Sequence, residues 1–395
     1  MGSGARSAPH HLSLSDFTPA AQCGDCHVEI YQQWRSSAHS KAATDTIFQK
    51  LLPQAARDLG EVGAAFCLKC HAPVATVTRE IKLYSPVELP LKLSPISMEG
   101  VTCDFCHTFS GREYAGKDIS PGIYLYPRVG NTAVKYGVHA DAAPTTNHLT
   151  KVSRFLTSAE YCGICHKFNH PFTGEKLQDT YYEWKTGPYS GRNGKRCQDC
   201  HMREFTGQGA IGGPERTNLH AHVFPGGRSE LVKKAASVTG LVTIKQKAGT
   251  KKASLRAVVE NVGAGHSMPT GLPGLRQMWV AADVRDSQGN GVYTNSSAIG
   301  IEPLDANGQL TMPWNAVRFG KDTRIRPGDK LQRDWVFALN PDLAEPLEVK
   351  VAVYYRSISP LAAQAGGIEP SPAIEIASDR LRLYRDGRIE RIAVE

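Results

Sequence analysis

Five times the sequence places two cysteines three positions apart with a histidine directly behind the second: Cys23-Gly-Asp-Cys26-His27, Cys67-Leu-Lys-Cys70-His71, Cys103-Asp-Phe-Cys106-His107, Cys162-Gly-Ile-Cys165-His166 and Cys197-Gln-Asp-Cys200-His201. These motifs use all 10 cysteines of the 395-residue chain. A C-x-x-C pair alone suits a zinc site or a redox dithiol, whereas C-x-x-C-H is the pattern of covalent c-type haem attachment. With 14 histidines in 395 positions, chance would put His after all five pairs on the order of once in ten million. The chemistry explains the spacing. Two thiols add to the two vinyl groups of a porphyrin, and the adjacent imidazole then reaches the iron. Five haem c groups are therefore the expected cofactors, with His27, His71, His107, His166 and His201 as proximal iron ligands. A disulfide or zinc scaffold has no need of a histidine behind every pair.

The motifs occupy residues 23–201, and no cysteine follows Cys200. That asymmetry predicts two domains, and the length is sufficient for a core in each. The motifs start at 23, 67, 103, 162 and 197, with no fixed interval, so a solenoid is excluded. The formal charge of +8 invites an anionic partner. Ten haem propionates and five ferric centres would bring it to about +3 oxidised and about −2 reduced. Much of the Lys and Arg excess is thus accounted for without nucleic acid or a membrane surface. No stretch reaches the roughly 18 apolar residues of a membrane span. The opening MGSGARSAPHH has no apolar core, and Met1–Gly4 reads as an added remnant. Because C-x-x-C-H haem attachment normally takes place outside the cytoplasm, a periplasmic or extracellular location is expected, with the leader removed or replaced.

Residues 1–20 read as a flexible arm and 21–235 as the haem domain, built of short helices and loops. Helical periodicity is clearest over 27–52, around Ile30, Trp34, Ile47 and Leu51. Residues 203–235 read as a glycine-rich connection, FTGQGAIGGPE and then FPGGR. From 236 to 395 the texture changes. LVTIKQKAG, ASLRAVVENVG, RQMWVAADVRDSQGNGVYTN, LQRDWVFALNP and LEVKVAVYYRSI alternate apolar and polar residues between turn signals, with a hairpin turn at SQGNG. This predicts an antiparallel β-sandwich, immunoglobulin-like in outline. The expected class is α+β: a mainly helical and irregular multihaem domain followed by a sandwich. Nothing in 236–395 pairs an acid with a base or gathers metal ligands.

The sixth position on each iron decides what a haem can do. Nine histidines remain as candidates: His10, His11, His39, His139, His148, His170, His220, His222 and His266. A lone histidine is more often solvated or hydrogen-bonded, but five irons need partners here. CGDCHVEIYQQWRSSAHSKA (23–42) resembles the opening module of the multihaem cytochrome c554 family, and GVTCDFCHT (100–108) is similar to its third-haem motif. HLTKVSRFLTSAEYCGICH (148–166) and LQDTYYEWKTGPYSGRNGKRCQDCHM (177–202) resemble the close of that domain. HVFPGG (222–227) and VENVGAGHSMPTGLPGLRQMWVAADV (259–284) resemble the region after it in members with an appended β domain. The resemblance covers most of 22–290 in patches. It implies His39, His148 and His222 as distal ligands, with His220 a competitor of His222. It also implies that His266, on a loop set by Gly265 and Pro269, reaches a haem from the β domain.

For the fifth iron the choice falls on His139. His170 lies too close to His166 to cap the same haem, although it is within reach of a neighbour. His10 and His11, on the arm, are solvent-exposed residues or donors to an adjacent subunit. Met98, Met202 and Met268 are the thioether alternatives. Iron closed by two imidazoles has no place for a substrate, so the expected function is electron transfer by a pentahaem c-type cytochrome. Its partners would be redox proteins or a terminal acceptor. Two alternatives stand beside it. One is an oxidoreductase acting on a small nitrogen or sulfur compound at a five-coordinate haem; the absence of a C-x-x-C-K motif and of further haems weighs against it. The other is a homo-oligomeric, filament-forming subunit in which His10 or His11 completes a neighbour's haem.

Overall fold

The computed structural model describes residues 12–81, 89–108, 128–129, 132–247 and 249–393. His10 and His11 lie outside them. The chain divides into two compact units. The first comprises Met1–Lys167, Pro171–Gly174 and Arg196–Phe224 and holds all five cysteine motifs. The second comprises Phe168–His170, Glu175–Lys195 and Pro225–Glu395. Two short pieces between the fourth and fifth motifs thus fold with the strands, where a sequence boundary at 235 kept them with the haem motifs. Side-chain chemistry holds them there: Arg324 Nη1 donates to Glu183 Oε1 at 2.6 Å, and the His170 ring meets the Trp314 carbonyl at 2.8 Å.

Short helices dominate the first unit. The periodic stretch 27–52 forms two of them, Val28–Ser36 and Thr46–Leu59. The first stops where Ser37 turns extended, and the second starts where Asp45 Oδ1 accepts the Phe48 N–H at 3.2 Å. That capping bond supplies a donor at the helix start with a partner, typically worth about 1 kcal/mol. Trp34 is buried and its Nε1–H donates to the Val101 carbonyl at 2.8 Å, tying the first helix to the third motif. Ala43, Leu52, Ala64, Ala65, Leu68, Ala72, Ala75 and Ile81 form a buried cluster around the second motif. Its alanines let the helices Thr46–Leu59 and Glu61–His71 approach closely.

Two small sheets complete this unit. Thr132–Gly137 pairs in parallel with Leu149–Val152, Lys135 facing Thr150. Glu204–Gln208 pairs antiparallel with Glu215–His220, with an irregularity between Phe205 and Gly207. The second pair corrects the expectation of a plain connection over 203–235. Its glycines make the bulge and turn of a hairpin, not a linker.

The strand-rich unit is an antiparallel sandwich. Ala236–Lys247, Thr250–Asn261 and Lys330–Ala338 form one sheet with Thr250–Asn261 in the centre. Gly291–Ile299, Gln277–Arg285, Leu347–Arg356, Ile374–Leu383 and Ile389–Ile392 form the other, in that spatial order. Strict alternation puts Ala253, Leu255, Ala257 and Val259 of one sheet and Val280, Val284, Val349, Val351 and Val353 of the other into a common core. Gly240 permits close approach of the sheets: a Cβ there would stand 3.2 Å from Val351 Cγ2 and 3.4 Å from Leu381 Cδ1. Its N–H donates to Asp379 Oδ2 at 2.7 Å, so a buried carboxylate satisfies an edge-strand donor. The SQGNG turn is fastened by Asp286, which accepts from the Gln288 and Asn290 N–H groups at 3.0 and 2.9 Å.

Candidate functional site

Each cysteine motif lies on or at the end of a short helix. Cys103–His107 and Cys197–His201 are single helices, and Glu61–His71 ends on the second motif. Where helix Ala20–Gly24 ends, the His27 N–H still donates to the Cys23 carbonyl at 2.8 Å, and the His166 N–H to that of Cys162 at 3.0 Å. One helical turn therefore sets both thiols and the imidazole on the same side. None of the ten cysteines is paired in a disulfide. Burial pushes Cys67 up to about 12 and Cys106 up to about 11, the opposite of the lowered pKa that marks a reactive thiolate.

The proximal imidazoles are held by backbone. Nδ1 of His27 meets the Gly209 carbonyl at 2.6 Å, that of His71 the Ala42 carbonyl at 2.7 Å, and that of His107 the Tyr136 carbonyl at 2.7 Å. A carbonyl only accepts, so Nδ1 carries the proton and Nε2 keeps its lone pair for a metal. Gly100 assists at the second motif. Its φ is +71°, and a Cβ there would come within 2.5 Å of the His39 carbonyl and 2.9 Å of the Ala42 nitrogen. Only glycine lets this backbone lie against the His39–Ala42 turn.

Three histidines from the sequence candidates stand ring to ring with proximal ones. His148 faces His27 with centroids 6.5 Å apart and planes inclined by 21°. His222 faces His107 at 6.1 Å and 26°, and His39 faces His166 at 6.3 Å and 54°. A metal–imidazole bond of about 2.0 Å, with about 1.2 Å from nitrogen to ring centre, would put two imidazoles on opposite sides of one metal about 6.4 Å apart. The residues present fit an iron between each pair. Burial lowers the His39 imidazole to about 3 and His222 to about 4, with neighbouring histidines adding to both shifts. Both rings are thus neutral, as ligands must be.

The other candidates lie differently. His139 faces none of the described proximal rings; it sits beside Arg216, which holds Asp141 at 3.0 Å. The Nδ1 of His220 is taken by the Met202 carbonyl at 2.7 Å, and its Nε2 points toward Glu204 at 3.8 Å. His170 is buried with Nε2 on a backbone carbonyl, the geometry of a structural histidine. His266, in the strand-rich unit, turns Nδ1 to the Ser267 carbonyl at 3.0 Å. Its loop is held chiefly by side chains that the sequence did not point out. Asn261 Nδ2 donates to the His266 carbonyl at 2.8 Å. Glu183 Oε2 accepts from the Ser267 N–H at 3.2 Å and from Thr270 Oγ1 at 2.7 Å. Burial raises the Glu183 carboxyl, against the pull of Arg324 and Thr270.

Two phenylalanines carry no signal in the sequence. Phe48 stacks on His71 with centroids 3.8 Å apart and planes 2° from parallel, and among the described residues no histidine ring faces His71. Phe224 holds its ring edge-on between His39, at 4.3 Å, and His222, at 5.7 Å. It does so with φ at +44°, a conformation L-residues rarely adopt. All five motifs belong to one compact unit, and cysteines of different motifs lie near enough to influence one another, Cys23 and Cys103, Cys162 and Cys197, Cys70 and Cys165. Among the described residues, no group of three or more His, Cys, Asp or Glu is arranged to hold a metal ion between side chains alone. No helix among them is long and apolar enough to cross a membrane.

Residues 22–108, with three of the motifs, match the family model "Cytochrome c554 and c-prime". Over 93% of its length the chain shares the fold of a penta-heme cytochrome c552 from Thermochromatium tepidum, with a TM-score of 0.69, 21% identity and 99% of that chain covered. A β-glucuronidase from glycoside hydrolase family 2 aligns with 38% of this chain and 12% of its own at 11% identity and a TM-score of 0.21, too low to carry any argument. None of the curated proteins compared matches the chain. The chain is thus similar to the c554 family model over 22–108, and to a penta-heme cytochrome in fold over nearly all of its length.

Proposed function

We propose that this chain is a pentahaem c-type cytochrome that passes electrons between redox partners outside the cytoplasm. The observation that carries the proposal is the set of three opposed imidazole pairs, each at the separation an iron between two nitrogens demands. His148, His222 and His39 serve as distal ligands opposite His27, His107 and His166. Bound haem supplies one-electron chemistry and, with both faces closed by imidazole, little else. The residues do the rest. Backbone carbonyls orient three of the five proximal rings, His27, His71 and His107, so coordination there would change little between oxidation states. All five motifs lie in one compact unit, so haems held by them would be close enough to exchange electrons.

The test is a pyridine haemochrome count together with low-temperature electron paramagnetic resonance on the purified protein. Five haems per chain with mostly low-spin ferric iron support the proposal. The near-parallel pairs at 21° and 26° should give ordinary rhombic signals, and the pair at 54° a more anisotropic one. Predominantly high-spin iron would sink it.

His71 favours a second reading: among the described residues no histidine ring stands at ligand distance from it, and its surroundings are an apolar cluster that includes Leu52, Leu68 and Met98, with Phe48 stacked on its face. Should that haem be five-coordinate, the protein would be an oxidoreductase for a small nitrogen or sulfur compound at the second motif. Carbon monoxide binding by one haem in five of the reduced, native protein would support this, and none would dismiss it.

A further inference from the structure

The sheet of Ala236–Lys247, Thr250–Asn261 and Lys330–Ala338 turns Val242, Leu255, Ala257 and Phe337 into the sandwich core. Its other side is open: Lys245, Lys252, Arg256, Lys330 and Asp334 are exposed, and Leu241 and Val336 are 50% and 55% exposed. Over most of this face, charge is balanced across the strands. Arg256 Nε donates to Asp334 Oδ1 at 2.7 Å, and Lys330 Nζ meets Glu260 Oε2 at 3.1 Å. One end differs. There Lys245 stands directly opposite Lys252, and Lys247 ends its strand on the same side, two residues past Lys245. Among the described residues none of these three lysines is ion-paired. Lys251, on the opposite side of the sheet, donates to the Arg385 carbonyl at 3.1 Å. Like charges directly opposite each other weaken an antiparallel pair. A lysine on an edge strand discourages pairing with a second chain, but Lys252 lies on the central strand. Neither folding nor edge protection accounts for the cluster.

We propose that this end of the sheet docks on an anionic membrane surface, with Lys245, Lys247 and Lys252 reaching lipid phosphates. Val336 lies one step along the face from Lys252, past Ser254 and Thr243, and Leu241 one step further, opposite Arg256. Both aliphatic side chains then rest against the headgroup layer. Such a layer asks for positive charge beside small apolar groups on a flat surface, and needs no shaped partner. A protein partner fits this face less well. Protein interfaces favour aromatic residues and Arg and are depleted of Lys. Here the outward residues from Thr239 to Lys245, from Lys252 to Val258 and from Gln332 to Ala338 include no aromatic ring. Overall charge says little about partners once haem propionates are counted, but three unpaired lysines in one place keep their local field. A lysine close to an anionic leaflet strengthens binding about fivefold, and the attraction fades within about 8–10 Å at physiological salt.

Co-sedimentation of the purified holoprotein with lipid vesicles tests this, independently of how the haems are ligated. Vesicles of phosphatidylcholine alone are compared with equimolar phosphatidylcholine and phosphatidylglycerol. The protein should bind the anionic vesicles, leave the neutral ones, and be released by salt. Lys245→Gln/Lys252→Gln should weaken binding about 25-fold, from two lysines at about fivefold each. Arg256→Gln/Lys330→Gln removes the same charge from the same face, but from residues already paired, and should bind nearly as well as the unaltered protein. Melting temperature and haem content, the same in both variants, show the chain intact, and the salt response tests the point on the unaltered protein. Failure to bind anionic vesicles, equal binding to neutral ones, or an equal loss in both variants would overturn the proposal. So would capture by an acidic polypeptide without any binding to vesicles, which would assign the lysines to a protein partner.

Discussion

Replacing Phe224 with glycine should harm this protein less than replacing it with alanine. The backbone there is left-handed, at φ +44°, which costs an L-residue about 1–2 kcal/mol. Glycine removes that strain and adds about 0.5–1 kcal/mol of unfolded-chain entropy. Both substitutions delete the ring between His39 and His222. A half-buried phenyl shields about 100 Å² of apolar surface, so either loses about 2.5 kcal/mol. The strain and entropy terms leave glycine ahead of alanine by about 0.5–1 kcal/mol. At about 2–4 °C per kcal/mol for a unit of roughly this size, the glycine variant should melt about 1–4 °C above the alanine variant. Thermal unfolding of the purified holoproteins by circular dichroism reads this directly. In both variants the resonance signals of two low-spin haems should broaden or move while the rest stay, because the phenyl fixes the rotation of two distal rings. A glycine variant that melts below alanine would refute the strain argument. Unmoved signals would refute the orienting role.

His148→Ala should convert one haem in five to high spin, cutting integrated low-spin intensity by about a fifth, with no loss of haem from the chain. Intact low-spin intensity would remove His148 from the ligand set. Glu183→Ala strips a buried partner from Arg324 and an acceptor from Ser267 and Thr270. It should cost about 3 kcal/mol and speed amide exchange at Ser267, beside His266; an unchanged exchange rate there would show the loop to be held by other means. The pH dependence of stability has a definite sign. Folded His39 and His222 take up protons only near 3 and 4, well below the ordinary 6.5 of a histidine. Between those limits the unfolded chain binds the extra protons, so stability is full above about pH 6.5 and falls as pH drops toward 4. A melting temperature that holds steady or rises from pH 7 to 5 would contradict the buried neutral rings.

Much of the architecture was legible because it comes from local pattern. Alternating runs such as ASLRAVVENVG and LEVKVAVYYRSI fix which side of a strand faces inward, and the sandwich core is built of those residues. Ile374–Leu383 escaped because Asp379 and Arg380 interrupt its apolar face, and Asp379 is buried only through its bonds to Gly240 and Arg391. The hairpin at 204–220 escaped for the opposite reason: its glycines suggest a linker until the pairing of Glu204 with His220 is seen. Likewise Glu175–Lys195 folds with the strands because Glu183 finds Arg324 some 140 positions away, a partnership no window along the chain can display.

The haem-binding residues divide along the same line. Two thiols and an imidazole must lie within one helical turn, so the proximal half of each site is local and visible as C-x-x-C-H. The distal half is a matter of what the fold brings opposite, and spacing along the chain carries no record of it. Hence His139 and His148, nine residues apart with similar polar surroundings in sequence, part company in the structure: one rests beside Arg216, the other faces His27. The elements that orient the rings are less visible still, because the Gly209, Ala42 and Tyr136 groups that fix Nδ1 are backbone carbonyls, which every residue type possesses. Phe48 is the most instructive case. In sequence it is one more apolar residue on an amphipathic helix, and in the structure it lies flat on a proximal imidazole that no described histidine ring faces. Phe48 thus packs only the proximal side of that site, and whether this protein carries electrons alone or also turns over a small molecule depends on what stands across the iron from His71, which no local pattern records.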